Sequence, residues 1–219
     1  MKQAVYLMPG MAANPSIFEN IALPEEDYEL RWLHWQMPEK GESLSAYAKK
    51  MTALIKTEYP VLIGVSFGGI LVQEMAKTIA TRKVIIISSV KTKFELPRRM
   101  QFSRKLGLYR VAPTGLVRKL EQFAKYAFGE KIKHRIALYQ KYLSVDDPIY
   151  LDWALENMLC WDQETPADGL VHIHGTADPV FPFKYINGCI PVKDGTHIMV
   201  ITKYKWFNEN LPKIIAINQ

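Results

Sequence analysis

Cysteine is scarce in this chain. Cys160 and Cys189 are the two among 219 residues, and neither sits in a C-x-x-C pair or at a metal-ligand spacing. A disulfide framework and a metal site are therefore not expected, and a reducing compartment is. Long apolar runs are missing too, since no stretch approaches the ~20 apolar residues that cross a bilayer. The opening MKQAVYLMPG carries a lysine and a short apolar run, but Pro9-Gly10 breaks it before it reaches the length of a secretory signal. The expectation is a soluble, cytoplasmic protein with no stable membrane association. Charge is only slightly one-sided: 28 basic against 22 acidic residues, a net +6, do not call for a nucleic acid partner. Repeats and low-complexity tracts are absent, and nothing in the composition sets an oligomeric state.

What the chain does have is apolar residues, 48% of the total, enough for one substantial core with room for an insertion. Strand-like runs bounded by turn residues fall at 3–8, 29–35, 60–65, 83–89, 169–174 and 186–192. Between several of them the period becomes helical. In 43–58, Leu44, Tyr47, Ala48, Met51, Leu54 and Ile55 share one face, as a helix packed on a sheet requires. The segment after Ser66 is apolar nearly all round (Ile70, Leu71, Val72, Met75, Ala76, Ile79) and reads as a buried helix. Alternating strand and helix imply an α/β fold: a mostly parallel sheet of about six strands flanked by helices. The rhythm fails between about 91 and 165, where basic, aromatic, helix-like stretches such as LVRKLEQFAKYAFGEKIKHRIALYQKYL are broken by prolines and glycines. Within 91–160 fourteen Lys and Arg face seven Asp and Glu, so this part holds the whole basic excess. It reads as a helical cap, 91–165, inserted into a core made of 1–90 and 166–219.

One turn stands out. An apolar run ends in Gly64-Val65-Ser66-Phe67-Gly68-Gly69 and continues into the apolar helical segment. Strand, G-x-S-x-G, then helix is the context that holds a nucleophilic serine on a sharp turn. Side chains at Gly64 and Gly68 would collide where strand and helix approach. The helix N-terminus beyond supplies unpaired N–H groups for a developing oxyanion. A dinucleotide loop would need a glycine where Ser66 stands, and a phosphate-binding loop would need a Lys-Ser/Thr that is missing. A purely structural glycine turn stays open on the motif alone.

A nucleophilic serine needs a base, and the base needs an orienting carboxylate, in the chain order Ser, acid, His for this kind of sheet. GLVHIH runs into GTADPVFP, which puts Asp178 just past a strand end, and KDGTHIMV puts His197 past the next one. All three residues then gather at the carboxyl ends of strands. Of the other histidines, His172 and His174 alternate with apolar residues and read as packing or hydrogen-bonding residues. His34 lies in the aromatic strand RWLHW and His134 in the basic cap. Asp168 and Asp194 read as loop or capping residues, while Glu95, shortly after the strand at 83–89, remains an alternative acid. A second oxyanion donor besides the Phe67 N–H is offered by Met11, at the Pro9-Gly10 turn that ends the first strand.

These residues resemble the α/β-hydrolase fold family. The likeness is carried by PGM after the first strand, GVSFGG at the elbow, HGTADPVFP at the acid and GTH at the base, and it covers nearly the whole chain. It departs from many relatives in having Pro9 where they have histidine. The chain also starts at the strand that normally comes third, which implies the shortened sheet. By resemblance Ser66 is the nucleophile, Asp178 the acid, His197 the base, and Met11 and Phe67 the oxyanion donors. The expected activity is serine hydrolysis of a small ester or thioester, with no metal or organic cofactor. Trp161, Phe181 and Met199 are expected to line an acyl pocket. Three other readings stay open: a ligand-binding protein that keeps the fold without catalysis, C–C hydrolase, lyase or peroxidase chemistry on the same triad, and a lipase acting at membrane surfaces through its basic cap.

Overall fold

Six short strands carry the architecture, and in four of them the residues between their ends are β-branched or otherwise apolar. They are β1 (Gln3–Met8), β2 (Tyr28–Trp32), β3 (Val61–Val65), β4 (Lys83–Ile87), β5 (Val171–Gly175) and β6 (Ile190–Val192). The computed structural model describes residues 2–107 and 141–217. The strands form one sheet in the order β2-β1-β3-β4-β5-β6, with every pairing parallel. A parallel sheet is covered on both faces, so its central strands read as continuous apolar runs rather than alternating ones; VLIGV and KVIII are buried throughout.

Two core layers cover the sheet. One holds Tyr6, Leu62, Ile70, Leu71 and Ile86 under helices α1 (Leu44–Thr52) and α2 (Phe67–Ala76). The other holds Val5, Leu7, Ile63, Ile85 and Ile173 under α5 (Met199–Thr202), α6 (Tyr204–Ala216) and the short turn Pro15–Phe18. The expected helical face over 43–58 is real as far as Met51. The helix ends at Thr52 in turn bonds from Ala53, Leu54 and Ile55 to residues three back, which leaves Leu54 exposed.

Between β4 and β5 stand α3 (Arg98–Leu106) and α4 (Pro148–Cys160). They belong to the insert expected as a cap. Its middle, with the basic stretch and His134, lies outside the described residues. Among the described residues no helix is long and apolar enough to cross a membrane.

The register brings the strand ends level. Met8 pairs with Gly64, Gly64 with Ile86 and Ile86 with His172. The order also reverses between β1 and β3, the switch point at which the loops leaving two adjacent strands part to opposite sides and open a crevice. Whatever follows Met8, Val65 and Gly175 therefore faces one shared space.

Candidate active site

Ser66 occupies the turn from β3 into α2 with φ 54° and ψ −122°, a conformation that L-residues rarely adopt. The surroundings hold it there. Its N–H donates to Ile87 O at 2.9 Å, and its carbonyl accepts from Ser89 Oγ at 2.7 Å and from Gly69 N at 2.9 Å. The close approach expected of the flanking glycines is present: a β-carbon on Gly64 would stand 2.2 Å from Gly68 O, and one on Gly68 2.2 Å from Pro9 O.

The serine hydroxyl lies 3.0 Å from His197 Nε2, and His197 Nδ1 lies 2.9 Å from Asp178 Oδ2. All three groups are nearly withdrawn from solvent. The other oxygen of Asp178, Oδ1, accepts from the N–H groups of Val180 at 2.8 Å and Phe181 at 3.0 Å. Burial pushes the Asp178 carboxyl up, but the charge and hydrogen bond of His197, the nearby His174 and the Phe181 N–H outweigh it and hold the group below the usual carboxylate range. An ionised Asp178 can only accept, so Nδ1 of His197 carries the proton. That leaves Nε2 with its lone pair directed at Ser66 Oγ–H.

Glu95, the alternative acid, is engaged elsewhere. Its carboxylate accepts from Lys91 N at 2.7 Å and Asn187 N at 3.3 Å and lies 3.8 Å from Lys91 Nζ. Asp194 donates its N–H to Thr176 Oγ1 in a loop.

The loop after β1 comes close to the serine, since a β-carbon on Gly10 would stand 4.0 Å from Ser66 Oγ. Met11 follows it, partly buried. Phe67 is the first residue of α2, where an amide N–H has no intrahelical acceptor.

The expected acyl-pocket residues divide. Trp161 stands apart from the serine: its indole N–H donates to Glu74 Oε1 at 2.8 Å, two turns along α2, because a buried indole needs an acceptor. Met199 is fully buried in the core layer with Val200 and Phe207, on the face away from α2. Phe181 is beside the site but fully buried, its ring edge-on to the His197 imidazole at 5.5 Å, so it props that ring and offers no surface to a ligand.

Two groups escaped the sequence reading. His172 Nε2 and His174 Nδ1 are 3.1 Å apart, and His174 Nε2 is 2.8 Å from Phe181 O, so the pair backs the Asp178 loop. Their bonding role was foreseen, their place behind Asp178 was not. The second group is an aromatic cluster of Trp35, Tyr47, Phe67, Tyr150 and Trp153, with Trp35 at 5.3 Å from both Phe67 and Tyr150. Trp35 was expected inside a strand over 29–35. That strand ends at Trp32, which frees residues 33–35 to lie at the carboxyl edge of the sheet. A tryptophan just past a strand end was the available signal.

No protein-family model matches the chain, and no curated protein does. Solved structures do match. A bromoperoxidase from Bacillus anthracis superposes with a TM-score of 0.73 at 18% identity, covering 99% of this chain and 93% of that one. An esterase from Exiguobacterium antarcticum gives 0.73 at 20% identity, covering 98% and 92%. An enol-lactonase from Burkholderia xenovorans gives 0.70 at 13%, covering 99% and 92%. The chain has the α/β-hydrolase fold.

Proposed function

We propose that the chain is a serine hydrolase that cleaves a small ester or thioester through an acyl-enzyme. The observation that carries this reading is the unbroken hydrogen-bond chain Ser66 Oγ, His197, Asp178, with a strained serine at its head. His197 Nε2 takes the Oγ proton as Oγ attacks the carbonyl carbon, and Asp178 holds the imidazole in the tautomer that can accept it. The tetrahedral oxyanion is met by the N–H groups of Met11 and Phe67. Collapse expels the alcohol or thiol with the proton from His197. Water, deprotonated by the same base, then attacks the acyl carbonyl and frees Ser66.

The neighbours named as an esterase and an enol-lactonase both imply attack at an ester carbonyl, which fits this reading. The one named as a bromoperoxidase shows that the fold also hosts other chemistry.

The test is covalent labelling. A fluorophosphonate should react at Ser66, and Ser66→Ala should lose both the label and hydrolysis of p-nitrophenyl esters and acyl thioesters of graded length. A folded wild-type protein that takes no label, or takes it elsewhere, replaces this reading by a ligand-binding one.

A further inference from the structure

The Gly10–Met11 peptide unit supplies, on the reading above, one of the two oxyanion donors, and its other end is held in an unusual way. Gly10 O accepts two hydrogen bonds: from the indole N–H of Trp35 at 2.9 Å and from Ala13 N at 3.1 Å. A carbonyl oxygen has two lone pairs, and both are used. A peptide unit is planar, and here it is trans, so its N–H points opposite to its C=O. Fixing Gly10 O towards Trp35 therefore fixes the Met11 N–H away from Trp35. Donation into the carbonyl also polarises the unit and strengthens its N–H as a donor.

The same indole is stacked on Phe67, whose backbone supplies the second donor, with ring centroids 5.3 Å apart and planes within 10°. One side chain thus touches both halves of the proposed oxyanion hole. Trp35 is itself packed against Tyr150, with ring centroids 5.3 Å apart. Ala12 takes a left-handed φ of 63°, and its carbonyl accepts from Val145 N at 3.0 Å. The turn that follows Gly10 is held from the cap side, and its leading peptide is held by Trp35.

We infer that Trp35 is a positioning residue for the oxyanion hole, acting through its indole N–H on the Gly10–Met11 peptide. It touches no reacting atom. Its contribution appears when charge develops on the substrate oxygen, and so in kcat rather than in KM.

The experiment replaces the N–H without replacing the ring. Trp35→Phe keeps an aromatic face over Phe67, and incorporation of 3-benzothienylalanine at position 35 keeps the indole shape with sulfur in place of N–H. Both should lower kcat for a p-nitrophenyl ester by about tenfold, below the 10²–10³ of deleting a donor outright, with KM within about twofold. Affinity for a trifluoromethyl ketone, whose adduct bears the oxyanion, should fall in parallel with kcat/KM. A role in packing alone would leave the benzothienyl variant with wild-type kcat and wild-type ketone affinity, and that result overturns the inference even if Trp35→Phe fails to fold. The inference rests on the hydrolase reading, and the two fail differently. A wild-type protein inert to the fluorophosphonate removes both, whereas a labelled, active wild type with unchanged 35-variants removes this one alone.

Discussion

At the scale of single residues, Asp178 and Glu95 make the sharpest contrast, because both are buried carboxylates near strand ends and only one meets an imidazole. Asp178 points one oxygen at His197 and the other at two backbone N–H groups, which fixes its rotation as well as its charge. Glu95 spends both oxygens tying the start of the insert, through Lys91 N, to Asn187 ahead of β6. Burial raises its pKa in spite of those bonds and of Lys91. Amide substitutions should therefore separate catalysis from stability. Asp178→Asn removes the charge that supports the imidazolium and should lower kcat by at least about 10²-fold with the fold intact. Glu95→Gln should keep kcat within about tenfold while costing about 1–3 kcal/mol of stability, since it sets an amide N–H₂ where one carboxylate oxygen accepts a backbone N–H. Steady-state kinetics and urea denaturation of the two variants decide it, and the reverse ranking in kcat would move the acid to Glu95. The sequence already ranked the pair by distance from the strand end. What it did not contain was Asn187, a partner 92 positions away that only folding brings to Glu95.

At the scale of elements, legibility follows how continuous the apolar signal is. The run at 3–8 matches β1 residue for residue, and those at 60–65 and 83–89 are right to within two residues, because buried parallel strands have apolar side chains on both faces. The run at 186–192 shrinks to Ile190–Val192: β6 is an edge strand carrying Pro191, and its neighbourhood has less to bury. The aromatic cluster was illegible because its members come from the loop after β2, from α1, α2 and α4, with no period in common. The β3–α2 turn was legible through its glycines, but that Gly68 packs against the end of β1 was not, and this junction makes a prediction at this scale. In Gly68→Ala the new methyl would lie 2.2 Å from Pro9 O and 2.7 Å from Met8 O, both backbone atoms with no side chain to swing aside. Helix α2 must then back away from the end of β1 and carry Ser66 away from the Gly10 loop. The expected result is a loss of about 2 kcal/mol or more in urea denaturation, at the upper end of overpacking costs, together with slower fluorophosphonate labelling of the folded fraction. Wild-type stability and labelling in this variant would mean that the two elements can separate without disturbing the serine.

At the scale of the whole molecule, the fold buries a pair of histidines on β5 that the proposed chemistry does not consume. His172 Nε2 and His174 Nδ1 share one hydrogen bond, and His174 Nε2–H donates to Phe181 O, so His174 Nδ1 is the acceptor of the shared bond and that ring is neutral. Burial pushes His172 well below the ordinary imidazole value, helped by His174 and Lys91. Burial likewise lowers His174, with His197 adding to it, although Asp178 and Phe181 O pull the other way. A folded pKa below the unfolded one, about 6.5, means that the unfolded chain binds more protons in the interval between them. The stabilisation is therefore fully present above about pH 6.5 and is lost as pH falls from there towards the folded values, at up to about 1.4 kcal/mol per pH unit for each imidazole. Asp178 is depressed as well, but its share persists down to its unfolded pKa near 3.9 and is lost only below it. Urea denaturation at pH 7, 6 and 5 should accordingly show a falling midpoint before Asp178 titrates, with the raised carboxyls of Glu95 and Asp152 pulling the other way. In His172→Gln, whose amide N–H can still donate to His174 Nδ1, the fall should be shallower because one of the two proton-binding rings is gone. A wild-type midpoint that stays level from pH 7 to 5, or a variant as steep as the wild type, would mean that His172 takes up its proton in the native state without opposing the fold.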